Sequence, residues 1–220
     1  MNKSKLIVIG ILACLALAAA GVYAGTTTPS MFSLTITAGN TLSVDIYNAS
    51  HVVVSSTVPF STTTESASCQ FATGTLGTAT QRITVTSLHG FTNTWTLAIA
   101  ATAGTTTNWV NGGSTSTFAF NNPSGSPAGC DYGQLTLDPS VGSINLDYTG
   151  VSATTTGISK GGSYAFNTST QSSITLMSAS AAAPKTGRWY LIGVSSTQAI
   201  PAFTAASNYT LPMTLTLTTT

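Results

Sequence analysis

Cys69 and Cys130 are the residues of this 220-residue chain with the most defined chemistry open to them. The third cysteine, Cys14, lies inside an apolar N-terminal run. In an exported chain the pair reads as one disulfide, because the compartment permits oxidation. Two free thiols are the alternative. Asp131, Asp138 and Asp147 could offer oxygen atoms to calcium, which takes about 6–8 of them. Their spacing matches no calcium loop, and capping a turn is the commoner role for a loop carboxylate. His51 and His89 stand too far apart in sequence to suggest zinc, and no Cys/His spacing supports it. No Gly-x-Ser-x-Gly elbow is present, and Glu65 is the only glutamate. Neither a paired carboxylate nor a Ser–His–Asp set therefore has a carrier, and no enzyme activity is expected. What remains is aromatic. Trp95 and Trp109 could each offer a flat face to the apolar side of a sugar ring. Trp95 lies in an alternating strand pattern, which favours a core role. Trp109 lies in a Thr/Asn/Gly-rich stretch, which makes it the better contact residue.

These residues need a scaffold and a compartment. Lys3 and Lys5 precede an apolar run from residue 6 to 20, and small residues close it at Ala24. This is the layout of a secretory signal peptide over residues 1–24, cleaved before Gly25. A lipoprotein reading at Ala13-Cys14 and a retained membrane anchor are the alternatives. From Gly25 onward the ionisable residues are few: Arg82, Lys160, Lys185 and Arg188 stand against Asp45, Glu65, Asp131, Asp138 and Asp147. A chain so poor in cations lacks the surface that drives nucleic-acid affinity, so no nucleic-acid partner is expected. Thr, Ser and Gly dominate instead. A disordered hydroxyl-rich stalk would share that composition, but stalks lack regular apolar alternation.

Here alternation is widespread. Ile83 and Val85 alternate with Thr84 and Thr86, while Trp95, Leu97 and Ile99 alternate with Thr96 and Ala98. Period two places successive side chains on opposite sheet faces, so both runs predict half-buried strands. His89, Gly90 and Asn93 lie between them as turn residues, and the two runs read as a hairpin. Trp95 and Leu97 share a face and can bury together. Phe32, Leu34 and Ile36 predict a strand joined through Ala38-Gly39-Asn40 to a second one at Leu42, Val44 and Ile46. Further strands are predicted at residues 52–58, 117–120, 134–138, 143–148, 174–177 and 189–194. Residues 103–116 and 151–162 read as loops, and residues 121–129 as a Pro/Gly/Ser-rich excursion that the disulfide would tether. Pro184 would end any helix begun at residues 180–183. The terminal strand over residues 209–217 contains Pro212, so it should be bulged or at an edge. The fold class expected is all-β: an antiparallel sandwich of about ten strands, one domain over residues 25–220.

The layout resembles the WxL domain of bacterial cell-surface proteins. Leu34 to Gly39 is similar to that family's opening strand and turn. Arg82 to Thr86, followed by Trp95-Thr96-Leu97, is similar to its proximal motif. Ile200-Pro201-Ala202, Tyr209-Thr210 and Leu215-Thr216-Leu217 are similar to its closing segment, with Leu215 at the position of the family's second Trp. The resemblance implies an exported protein held non-covalently at the cell wall or cell surface. Its expected partners are cell-wall polysaccharide or peptidoglycan, then other surface proteins or copies of itself. No cofactor is implied. Trp95, Leu97, Trp109 and Tyr209 are the candidate contact residues. A structural subunit of an extracellular filament or surface layer is the alternative function. Asn48, Asn167 and Asn208 each begin a glycosylation sequon.

Overall fold

Thr-rich alternation gives the chain fifteen strands and no α-helix among the described residues. The computed structural model describes residues 42–88, 94–147 and 154–219. The signal peptide, the strand expected at residues 32–37, its turn, and His89 lie outside the described residues. Numbered in chain order, the strands form four antiparallel sheets. The first runs β1 (Leu42–Tyr47), β3 (Arg82–Ser87), β12 (Gly187–Ile192), β8 (Ser143–Leu146). The second runs β10 (Tyr164–Ala165), β7 (Gln134–Asp138), β13 (Val194–Ile200), β2 (Gln70–Leu76). The third runs β15 (Met213–Thr219), β4 (Trp95–Ala101), β11 (Ser173–Ala179), β9 (Ile158–Lys160). A small fourth sheet holds β14 (Tyr209–Thr210), β5 (Asn108–Asn111) and β6 (Thr117–Ala119).

The register shows that the four sheets are two bent ones. Leu191 pairs with Ile83, and three residues later Val194 pairs with Leu76. Likewise Ile192 pairs with Ser143 and Ser195 with Asp138. The first sheet therefore continues into the second through β3 and β2, β12 and β13, and β8 and β7. Glycines sit at the bend. Gly77 (φ 77°) accepts a hydrogen bond from Gly193 N at 2.8 Å, and Gly193 has φ 78°. A Cβ on Gly77 would meet Leu191 O at 2.8 Å, and one on Gly142 would meet Ile192 O at 2.8 Å. Close approach of three backbones at one level requires residues without side chains. On the other side, β4 leads through a 3₁₀ turn (Gly104–Thr106) to β5, and β14 leads through Pro212 to β15. The bent sheets face each other: Trp95 meets Trp189 at 6.1 Å between ring centroids, and Trp109 donates to Gln198. One core cluster joins Ile83, Val85, Trp189 and Leu191 to Trp95, Leu97, Ile174 and Leu176, and continues to Leu135 and Leu137.

Several expectations change. β3 and β4 do not form a hairpin: β3 pairs with β1 and β12, whereas β4 pairs with β11 and β15. The two strands lie in opposite layers of the sandwich. Alternation fixes which face is buried, but it says nothing about the neighbour. Residues 52–58 are not a strand; Val53 makes a single bridge to Tyr47 after an Asx turn in which Asn48 Oδ1 accepts from Ser50 and Val52. Residues 103–116 are not all loop, because β5 lies within them, and β9 and β10 fall in or near stretches read as loose. The terminal run is divided as Pro212 required, and β15 lies at a sheet edge.

Cys69 and Cys130 form a disulfide with Cα atoms 5.4 Å apart. It ties the excursion before β7 to the start of β2. The excursion also carries bonds of its own, including Asn122 N to Gly133 O at 3.0 Å and Gly133 N to Gly129 O at 2.7 Å. The disulfide thus reinforces a loop already folded by its backbone.

Candidate functional site

Asn108-Trp109-Val110-Asn111 sets two apolar residues between two amides, and β5 holds the Trp109 ring half-buried. The indole N–H donates to Gln198 Oε1 at 2.7 Å. Phe118 lies against one face of the ring, with centroids 5.9 Å apart and planes at 17°, and Phe60 meets it edge-on at 5.5 Å. Tyr209 packs on Phe118 at 5.0 Å, with its hydroxyl 2.9 Å from both Ser116 Oγ and Ala205 O. A phenol has one proton to donate, so the serine hydroxyl supplies the other hydrogen. Four aromatic rings thus brace β5, β6, β14 and the segment that carries Phe60.

Two adjoining cavities open beside this cluster and share Thr57, Val58, Phe60, Trp109 and Tyr209. One, of about 320 Å³, is rimmed by hydroxyls and one carboxylate: Ser61, Thr62, Thr63, Thr64, Glu65 and Ser66. Those residues form the polar stretch before β2, and all but Ser66 are exposed. The other, of about 590 Å³, is apolar, with walls from Leu76, Ile99, Leu135, Leu137, Met213 and Leu215. Ser196 also lines it, and its buried Oγ has no hydrogen-bond partner among the described residues. A groove with an aromatic wall, hydroxyls on one rim and an apolar floor suits a neutral polyhydroxylated ligand with apolar faces. Its lining offers a single carboxylate, whereas glycoside hydrolysis ordinarily needs two.

The four predicted contact residues separate into two pairs. Trp109 and Tyr209 line both cavities and belong to one cluster. Trp95 and Leu97 are 1% and 0% exposed, buried together on the inner face of β4 as their spacing predicts. Both belong to the core and not to the groove. Trp109 is itself not the free loop aromatic expected; its strand and its bond to Gln198 hold it in place. Phe60, Gln198 and the rim hydroxyls had no distinguishing signal in sequence, because Thr and Ser are everywhere in this chain. Asp138 caps the 3₁₀ turn Pro139–Val141, accepting from Ser140 N at 3.0 Å.

The charged residues collect elsewhere. Asp147, its side chain wholly buried, faces Arg82 Nη1 at 3.3 Å, Arg188 Nη1 at 3.6 Å and His51 Nδ1 at 3.0 Å. Arg82 also lies over the Tyr190 ring and Arg188 over that of Tyr47. This is a polar lock on the first sheet, remote in composition from the groove. Among the described residues, no group of three or more His, Cys, Asp or Glu converges as a metal site would require. No family model, no curated protein and no solved structure matches this chain.

Proposed function

We propose that this chain is an exported, non-catalytic surface protein that attaches non-covalently to cell-wall polysaccharide, with peptidoglycan as the ligand class. The groove beside Trp109 and Tyr209 is the binding site in this reading. The observation that supports it is the pairing of an aromatic wall with the hydroxyl rim at residues 61–66. Sugars present an apolar face to an aromatic and hydroxyls to hydroxyls, and a near-neutral groove does not depend on ligand charge. The leader-like N-terminus and the WxL-like layout point to the same compartment. The test is co-sedimentation of the exported protein with isolated cell walls and with purified peptidoglycan. The protein should pellet with both at low and high salt, and Glu65→Ala combined with Thr63→Ala should weaken binding severalfold without altering the circular dichroism. Protein left in the supernatant at every salt concentration would remove the proposal.

A second reading, a structural subunit of a filament or surface layer, is favoured by the low charge and high threonine content of the chain. Negative-stain microscopy at high protein concentration separates the two, since fibres or sheets would reverse their order.

A further inference from the structure

Seven of the eight terminal strands of these sheets are blunted, and the exception is informative. β9 is three residues long and ends in Lys160; β10 has two residues, β14 two, β6 three and β8 four. β2 is covered by the segment before it, through a Phe60–Gly74 bridge and a bond from Ser61 N to Thr73 O at 2.7 Å. β1 carries Asp45, and its far end is capped where Val54 N donates to Ile46 O at 2.8 Å. Short length, charge and covering segments are the devices that keep edges from pairing. β15 is long and uncharged, and β1 comes near it without pairing. Seven residues long, it contains no charge, proline or glycine, keeps an unbroken register with β4, and pairs with no other strand among the described residues.

Its sequence is also self-complementary. Thr214-Leu215-Thr216-Leu217-Thr218 reads the same in both directions. Laid antiparallel on a copy of itself about Thr216, it sets Leu215 opposite Leu217 and Thr214 opposite Thr218. Residues directly opposite in an antiparallel pair share a face. All four leucines then fall on the inner face, where Leu215 and Leu217 already pack partly buried against the core, and all the threonines fall on the outer face, where they are exposed. Thr–Thr and aliphatic cross-strand pairs both stabilise such a ladder. The same patch on both molecules makes the contact isologous, so it closes as a dimer and does not propagate.

We infer that β15 is a homodimerisation edge, through which the third sheets of two copies join into one continuous eight-stranded sheet. The occupant of the edge is a second copy of this strand, related by a two-fold axis through Thr216. A five-residue ladder is small beside the roughly 1,200 Å² of a stable interface, so association should be concentration-dependent.

Sedimentation equilibrium of the exported protein from about 1 μM to about 1 mM tests this, a range that brackets weak dissociation constants. The weight-average mass should rise towards twice that of the monomer and stop there. Thr216→Cys should form a disulfide-linked dimer under mild oxidation, because that position faces itself; Thr214→Cys alone should not, and Thr214→Cys with Thr218→Cys should. Thr216→Lys, which sets like charges opposite each other, should remain monomeric with unchanged circular dichroism. Monomeric mass throughout for the unaltered protein would overturn the inference, as would equal cross-linking of Thr216→Cys and Thr214→Cys. Growth beyond the dimer would overturn it in favour of an open assembly. Because the groove lies apart from the Thr216 side chain, wall sedimentation of Thr216→Lys reports on the proposed function independently.

Discussion

Asp147 shows how much rests on single side chains when a chain has so few charges. Its buried carboxylate gathers Arg82, Arg188 and His51, which come from β3, β12 and the turn after β1. Removing a buried member of such a group leaves the others without their countercharge. Both arginines keep some contact with water, their side chains being 20% and 32% exposed, which lowers the cost. Asp147→Asn should therefore destabilise by about 1–3 kcal/mol, measured by urea unfolding; an unchanged midpoint would mean the cluster is ornamental. The two core tryptophans give a sharper contrast. Trp189 donates to Thr154 O at 2.8 Å, whereas the buried Trp95 Nε1 has no acceptor among the described residues. Trp95→Phe discards an unsatisfied donor and Trp189→Phe discards a bond, so at similar loss of volume the first should cost about 1 kcal/mol less. The disulfide belongs to this scale too. Cys69 and Cys130 are 61 residues apart, and chain-entropy reasoning assigns such a loop about 4 kcal/mol. Non-reducing mass spectrometry should find no free thiol after export, and Cys69→Ser should lose stability of that order in denaturant.

At the scale of elements, the bend glycines carry the architecture. Gly77 combines φ 77° with a neighbouring carbonyl 2.8 Å from where a Cβ would stand, while Gly104 has the same φ with open space around it. Gly104→Ala should cost only the left-handed conformation, about 1–2 kcal/mol. Gly77→Ala must also push the first sheet away from its own continuation, and should cost clearly more in thermal unfolding. Equal losses would show that the bend is soft. These glycines also mark where sequence reasoning stopped. β3, β4, β7 and β11 were legible because apolar side chains alternate along them with hydroxyls. β13 was not, because its inward positions hold Ser196 and Gln198, buried at 1% and 2%, so a polar run lies in the core. Gln198 is there for the groove: it accepts from Trp109 Nε1 and donates to Ala199 O at 2.7 Å. A strand that helps shape the candidate site is thus one whose pattern hides it. Pairing was illegible for a different reason. Strand order depends on long-range connections, and nothing in residues 82–101 distinguishes a hairpin from a crossing between layers.

At the scale of the whole molecule, the question is whether the groove half and the tryptophan half form one cooperative unit. Each bent sheet crosses between them through short links such as Gly193 and Leu211-Pro212. The core is likewise continuous: Leu76, Leu135 and Leu137 join the same cluster as Trp95 and Trp189, and Trp109 packs against it. A half that melted alone would have to expose that shared apolar surface, at about 25 cal/mol per Å², with little gain in chain entropy because the strands remain anchored at the bend. Unfolding should therefore be two-state. The three tryptophans allow a direct check. In Trp109→Phe, fluorescence reports only Trp95 and Trp189, while in the unaltered protein Trp109 adds a signal from the groove. Thermal or urea transitions followed by fluorescence in both proteins should each coincide with that protein's far-ultraviolet circular dichroism. A groove signal that moves at lower denaturant than the dichroism would show an independently opening half. The 590 Å³ cavity would then be a hinge between two packing units, and ligand binding there should raise the lower transition alone.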